Sequence, residues 1–437
     1  MMRRALAAFF AMLTAAAMLS TSGSALQLPS IQAAATDFRS PNAHLQEMFR
    51  AALLDTTTLA EYAPDGTAYV KTGDIPAEWL RDASAQLRPY LFFAKQDPSV
   101  RKLLRAILAR MAKYIQIDPY ANAFTLDYRV WEQKFELDSL AYPVTLAWSY
   151  WKTTGDTSIF TPDMERALED ILNTMEREQD HPRDSHYTEP ELADGGKGRP
   201  VAYTGMIWTG FRPSDDACYY NYLIPSEMFA VVALGDIADI ERNVYRNVIL
   251  ARSADALRDE VQRGIQTYGL VFVPKYGYIY AYEVDGLGHA ILTDDANIPS
   301  LLSAPYIGYT SKSNVYYQNT RRFLLSDDNP SFYSGRYASG IGSFHTPDHW
   351  IWPLALIMQG LTARSQTEKQ DVLNELLASD PGDHLLHESF DPNDPKHFTR
   401  PNFGWPNALF SEFVMTSFEG KAEIPMGSGA DLEFRSQ

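Results

Sequence analysis

Apolar positions recur at helical spacing over most of the chain. Between Arg101 and Ile115, residues Leu103, Leu104, Ile107, Leu108, Met111 and Ile115 share one face and Arg and Lys fill the other, which predicts an amphipathic helix. The same reasoning predicts helices over His44–Leu59, Ala83–Ala94, Glu136–Lys152 (ended by Thr154-Gly155-Asp156), Pro162–Glu178, Glu368–Leu377 and most of Leu223–Val261. More uniformly apolar runs predict helices over His349–Arg364 and Trp405–Thr416, and another opens at Ile298. Val271–Tyr282 alternates aromatic and aliphatic residues and reads as a short strand pair. Gln27–Asn42 reads as a polar lead, Asp180–Tyr203 as a long Gly/Pro-rich loop, and Tyr309–Ser343 as irregular.

The sum is about a dozen helices in alternating pairs, joined by polar, aromatic loops. Helices of this kind bury one face against a neighbour. The pattern predicts an all-α fold, a closed (α/α)6 barrel of inner and outer helices with minor β-hairpin insertions. An open solenoid is the competitor, and no fixed period supports one. The chain shows no Gly-rich phosphate loop and no nucleotide fingerprint.

The N-terminus reads differently. Arg3 and Arg4 precede an apolar run, Ala5–Met18, and the small residues Gly23-Ser24-Ala25. This predicts a signal peptide over residues 1–25, a single catalytic domain over 26–437, and export to the periplasm or extracellular space. No later stretch reaches about 18 apolar residues, so no membrane span is expected in the mature chain. Net charge is −17, and removal of two arginines and no acid would take it to −19. That balance disfavours nucleic acid and anionic membranes as partners but is indifferent to neutral glycans. A single cysteine, Cys218, excludes an intramolecular disulfide and reads as a small buried hydrophobe.

Chemistry concentrates in two islands. The first, Trp208–Tyr222, sets Asp215 and Asp216 among aromatic residues behind an Arg212-Pro213-Ser214 corner. The second runs from His387 and Glu388 to Arg400 and Trp405. Two acidic, aromatic loops are what glycoside hydrolysis needs: one carboxylic acid protonates the leaving oxygen, and a second carboxylate activates water or attacks the sugar. Adjacent acids among aromatic rings are expected to raise one another's proton affinity, as a general acid requires. Trp79, Arg81 and Asp82 offer a stacking face and a charged fork for hydroxyls, or a plain salt bridge at a helix start. Glu132, Lys134, Glu136 and Asp138 read as a solvated charge run, with a sugar subsite as the sharper alternative. Asp285, His289, Asp294, Asp295 and Asn297 lack calcium-loop spacing and suggest helix capping or substrate contact rather than a metal. His345 and His349 are weak as zinc ligands, and a sugar contact is as good a reading.

These residues carry a resemblance. GDIPAEWLRDASAQLRPYL, FELDSLAYPVTLAW, WTGFRPSDDACYYNYLIPSEMFAV, YAYEVDGLGHAILTDDANIPSLL, HTPDHWIWPLALIMQGL and HESFDPNDPKHFTRPNFGWPNALFSEF resemble glycoside hydrolase family 125, the exo-acting α-mannosidases. The resemblance spans about Gly73 to Phe413 and implies an (α/α)6 barrel, no metal or cofactor, mannose-containing glycans as partners, and inverting hydrolysis of non-reducing terminal α-1,6-linked mannose. It implies a general acid within Ser214-Asp215-Asp216, with Asp215 favoured over Asp216, and Glu388 as general base. Arg81 and Asp82 match the pair expected to hold the terminal sugar. The wider binding set expected is Trp79, Arg81, Asp82, Asp138, Trp208, Arg212, Asp294, Asp295, Asn297 and His345. Asn402 and Pro406 depart from the pattern and bear on loop shape. A phosphorylase or lyase on the same barrel, or an inactive glycan-binding protein, is the alternative.

Overall fold

The computed structural model describes residues 26–427; the expected signal peptide lies outside the described residues. Six long or medium helices are amphipathic and form an outer layer: Ala43–Leu59, Pro98–Ile117, Pro162–Glu178, Val248–Tyr268, Val315–Leu324 and Gln366–Ala378. Their starts are marked in the sequence. Asp97 and Thr161 accept backbone N–H groups of the first turn and are followed by Pro at the first helical position, where a missing N–H costs nothing.

The inner helices are apolar all round. Leu137–Thr154, Ile224–Ile240, Pro353–Thr362 and Gly404–Ser417 bury nearly every side chain, and Leu80–Leu87 buries all of them. A helix without a polar face needs neighbours on every side, and the ring supplies them. Helix 80–87 packs on 137–154, 137–154 on 224–240, 353–362 on 404–417, and 404–417 back on 80–87. Helices 353–362 and 404–417 meet closely at Gly360, where a Cβ would stand 2.6 Å from the Phe413 ring. The ring also closes between chain ends. Helix 43–59 packs on 404–417, Asn407 donates to Asp55 at 3.0 Å, and His44 and His384 both reach the Asp380 carboxylate.

The sixth inner position departs from expectation. The helix predicted from Ile298 is instead a series of turns, although Leu301, Leu302, Ala304 and Ile307 are buried as an inner helix would be. Pro299 and Pro305 remove two donors. Ser300 and Ser303 exchange side-chain-to-backbone hydrogen bonds at 2.8–3.1 Å, which compete with a helical ladder. Three other readings change. Pro29–Asp37 is helical rather than a polar lead. Tyr309–Ser343 contains helix Val315–Leu324 and the hairpin Phe332–Ser334/Ser339–Ile341. Leu223–Val261 is broken at Glu241–Tyr245, before Asn247 caps the next helix.

All strands pair antiparallel in sheets of two or three, and several immediately precede inner helices: Glu78–Trp79 before 80–87, Tyr222–Leu223 before 224–240. The predicted strand pair is Leu270–Val273 with Gly277–Tyr280. No helix among the described residues is long and apolar enough to cross a membrane.

Candidate active site

The starts of the inner helices converge on one cavity of about 240 Å³. That is slightly below the usual range for small-molecule pockets, the size for one terminal group rather than a chain. Asp215 and Glu388 both line it, with Trp79, Arg81, Asp82, Asn297 and His345. Apolar walls come from Trp352, before helix 353–362, and Phe403, before helix 404–417.

Arg81, in the first turn of helix 80–87, organises one wall. It donates to Glu136, and its Nη2 donates to Asp215 Oδ1 at 3.3 Å; Asp82 lies 3.3 Å from its Nε and Asp138 3.5 Å from its Nη1. Burial disfavours the guanidinium, but Glu136, Asp82, Asp215 and Asp138 outweigh that and hold it firmly charged. Burial in turn pushes Asp82 and Asp138 up to about 6, against the pull of Arg81, and pushes Glu136 well above the usual carboxylate range.

Asp215 sits on a tight turn. Asp215 N–H donates to the Arg212 carbonyl at 2.9 Å, and Arg212 N–H to the Asp216 carbonyl at 2.8 Å. Pro213 suits the turn, and Asp215 itself takes a left-handed φ of +66°, a conformation Asp tolerates better than most residues. The turn points the two neighbouring carboxylates apart. Asp215 enters the cavity, where Asn122 Nδ2 also donates to it at 3.2 Å. Asp216 lies outside and meets His345 Nδ1 at 3.2 Å. Burial would raise Asp215, yet Arg81, a hydrogen bond with Glu136, Lys134 and His345 outweigh it and hold Asp215 below its ordinary value. The expected mutual raising by Asp216 is therefore corrected: the cation beside Asp215, not its sequence neighbour, sets its charge.

Glu388 stands opposite, before the hairpin Phe390–Asp391/Asp394–Phe398 that returns Thr399 to bond Ser389. His387 stacks on Phe398 at 3.7 Å and fixes the loop. Burial pushes Glu388 up, moderated by Arg400, whose Nη1 is 3.8 Å away, and by His345. His345 is itself pushed up to about 9, chiefly by its hydrogen bond with Asp216, so it is a cation at neutral pH beside the cavity.

Of the binding residues expected from sequence, Trp79, Arg81, Asp82, Asn297 and His345 reach the cavity. Five do not line it. Asp138 is fully buried behind Arg81. Arg212 Nε donates to Glu283 at 2.6 Å, and the same carboxylate accepts Tyr219 and Tyr220 N–H, which fixes the loop after the turn. Trp208 is fully buried and stacks on His181 at 3.6 Å. Asp294 accepts Leu301 and Leu302 N–H, and Asp295 accepts the hydroxyls of Ser214 and Ser343 at 3.2 and 3.0 Å. Both therefore shape the turns beneath the site. Asp285 accepts Leu287 and His289 N–H in its own loop. The charge run 132–138 is not a solvated face: Glu136 and Asp138 are fully buried. Glu136, Asn122 and Arg400 are parts of the site that the residue pattern alone understated. The signal for Glu136 was its place between two apolar residues, Phe135 and Leu137, at the entrance to a largely apolar helix.

Two buried donors at the cavity have no protein hydrogen-bond partner, Trp79 Nε1 and Asn297 Nδ2, while Asp82 Oδ2 meets only the Arg81 guanidinium, at 3.3 Å. Unpaired buried donors and acceptors are costly unless a ligand satisfies them, and a ring of hydroxyls presents both kinds.

Known proteins agree with this geometry. A family model described as metal-independent alpha-mannosidase (GH125) matches residues 42–129 and 125–415. The solved structure of a metal-independent α-mannosidase from Streptococcus pneumoniae, in a non-productive complex with α-1,6-mannobiose, is 42% identical. The likeness has a TM-score of 0.85 and covers 90% of this chain and 97% of that one. The meiotically up-regulated gene 157 protein of Schizosaccharomyces pombe is 37% identical over 84% of this chain and 81% of its own length. A bacterial glucoamylase complexed with acarbose shares the fold alone, at 12% identity and a TM-score of 0.61 over 88% of this chain and 57% of that one. A barrel of paired helices, a one-sugar cavity between two acidic loops, and a family match across nearly all the described residues converge: the chain belongs to the metal-independent α-mannosidases of glycoside hydrolase family 125.

Proposed function

We propose that this α-mannosidase is exo-acting and inverting, and removes non-reducing terminal α-1,6-linked mannose. The observation that carries the reading is the cavity that Asp215 and Glu388 line together, beside the buried donors Trp79 Nε1 and Asn297 Nδ2 that have no protein partner. Asp215 is the general acid and protonates the glycosidic oxygen as the bond to carbon breaks. Glu388 is the general base and takes a proton from water that attacks the anomeric carbon on the opposite face. His345 and Arg400 keep Glu388 available as an anion by their positive charge. Trp79, Asp82 and Asn297 hold the terminal sugar through its hydroxyls, and Arg81 orients both Asp82 and the acid. The linkage follows the α-1,6-mannobiose bound by the Streptococcus pneumoniae relative. An N-terminal Arg-Arg start, apolar run and small-residue site support export of the enzyme.

Proton NMR of α-1,6-mannobiose hydrolysis, run with chelator, tests this directly. β-Mannose is the expected first product, formed at the same rate with and without chelator. α-Mannose as first product would require a retaining mechanism. Inversion also needs the two carboxyl groups about 6.5–9.5 Å apart, with room for water between them.

A further inference from the structure

The helix ring is closed by a cluster that stands outside the active site. His44 lies in the first turn of helix 43–59, and Asp380 and His384 lie in the loop after helix 366–378. None of the three lines the cavity that holds Asp215 and Glu388. One imidazole nitrogen from each histidine points at the same carboxylate oxygen: His44 Nε2 is 2.6 Å and His384 Nδ1 is 3.1 Å from Asp380 Oδ2. The three ligand atoms all lie within 4.8 Å of one another. The other carboxylate oxygen, Oδ1, is taken up by the N–H groups of Gly382 and His384, at 2.8 and 3.0 Å. Asp380 is thus fixed from behind, its side chain 1% exposed, and Oδ2 is left to the histidines. Burial would raise the Asp380 carboxyl, but the hydrogen bonds from His44, the Gly382 and His384 N–H groups and the His384 ring outweigh burial and hold it below its ordinary value. The two rings approach from the solvent side, with side chains 40% and 44% exposed.

We propose that His44, Asp380 and His384 bind a zinc ion that staples the start of helix 43–59 to the loop carrying Glu388. Two imidazoles and one carboxylate are a donor set that suits zinc, which takes such atoms at about 2.0–2.2 Å and spaces them about 3.4 Å apart in a tetrahedron. The His384 pair already stands near that spacing. The His44 pair must widen slightly, which a half-exposed ring allows. The metal takes the lone pairs of His44 Nε2 and His384 Nδ1, each ring staying neutral with its proton on the other nitrogen, and solvent fills the fourth position. The two backbone N–H groups on Oδ1 are the outer partners that orient a ligating carboxylate. From the site the chain runs without regular structure to His387 and Glu388, and His387 Nε2 lies 3.2 Å from Asp383 within the same loop. The ion therefore holds the base loop to the opposite end of the chain and takes no part in bond cleavage. The proposal does not depend on the reading of the reaction.

The test uses the full chain without a histidine tag, stripped by chelator and dialysed. One equivalent of zinc should bind per chain, read by equilibrium dialysis and elemental analysis. Zinc at about 100-fold over its Kd should raise Tm by about 3 °C. Magnesium and calcium, which prefer oxygen ligands, should not. His44→Gln and His384→Gln each keep a side-chain donor for Asp380 and should lose both the bound equivalent and the Tm rise. His397→Gln, which removes an exposed histidine elsewhere, should keep both. Should a Gln variant not fold, the wild-type chain still carries the test: zinc should protect His44 and His384 from diethyl pyrocarbonate, read by peptide mass spectrometry. Turnover of α-1,6-mannobiose well below Tm should be the same with zinc or with chelator. Absence of a bound equivalent, a zinc response retained in both His44→Gln and His384→Gln, an equal response to magnesium, or no protection of the two rings would each overturn the proposal. Loss of turnover on chelation would overturn it too, by placing the metal in the chemistry instead of the closure.

Discussion

Asp215 and Glu388 face the same cavity, and each has one arginine beside it, yet their environments diverge. Arg81 is enclosed, with four carboxylates around it, and donates directly to Asp215. Arg400 is divided differently: its Nε and Nη2 grip Asp74 at 2.9 and 2.7 Å, and only Nη1 approaches Glu388, at 3.8 Å. The outcome is an Asp held below its ordinary value and a Glu pushed above its own. Proximity of an arginine does not decide a carboxyl's charge. Contact geometry and the other claims on the guanidinium decide it. The backbones differ too. Asp215 hangs on a left-handed turn pinned by Ser214 to Asp295, whereas Glu388 leads a hairpin fastened by a ring stack.

The sharpest way to break the comparison is to neutralise each carboxyl. Glu388→Gln should lower kcat by about 10³-fold or more on every mannoside, because no leaving group replaces a base, while Asp215→Asn should lose a similar factor only on poor leaving groups. Steady-state rates on a series of aryl mannosides check this. Equal leaving-group dependence in the two variants would erase the distinction between the loops.

Next in size is the arginine itself. Arg81→Met strips the cation in contact with three buried acids, Asp82, Glu136 and Asp138, and should cost about 3–5 kcal/mol, read from chemical denaturation. Arg400→Gln, on the more open side, should cost far less. Its effect belongs in the pH profile. Without Arg400, burial pushes Glu388 further up, and a base must be ionised, so the acid limb of kcat/KM moves to higher pH.

The smallest effect concerns His345. Its pKa is raised in the folded protein to about 9, so it binds its proton more tightly when folded. The stabilisation is therefore complete below the unfolded value near 6.5 and lost as pH rises through about 9. The Tm difference between wild type and His345→Gln should shrink over that window. A constant difference would mean that the Asp216 contact is not ionic.

Much of this was legible before any coordinates. Amphipathic helices such as 98–117 and 162–178 announce themselves by period and caps, because one face meets water. Inner helices such as 224–240 lose that signal, since burial on all sides removes the periodicity, and their limits come from neighbouring loops instead. The segment after Ile298 reads as a helix in sequence because its apolar spacing is helical, while its serines and prolines favour turns; tertiary packing uses the spacing without the helix. At the site, Asp215 and Glu388 stood out as acids among aromatics. Trp208 and Arg212 looked identical in kind and serve as scaffolding, because one-dimensional proximity does not report which way a tight turn throws each side chain. Glu136 was hidden for a related reason. Alternating charges from 132 to 138 resemble a wet face, and only the inner ring shows that two of them point into protein.

One last consequence comes from the closure of the ring. Helix 43–59 lies against helix 404–417, and Asp55 and Asn407 join them. The order in which helices leave the ribosome is thus separable from the order in which they touch. With helices 43–59 and 404–417 already in contact, joining the segments outside them and opening the chain at a surface loop elsewhere should leave the helix-to-helix packing of the ring in place. The barrel is, in effect, a circle that the chain opens between helix 404–417 and helix 43–59, and the two carboxyl loops keep their places on that circle wherever the cut is made.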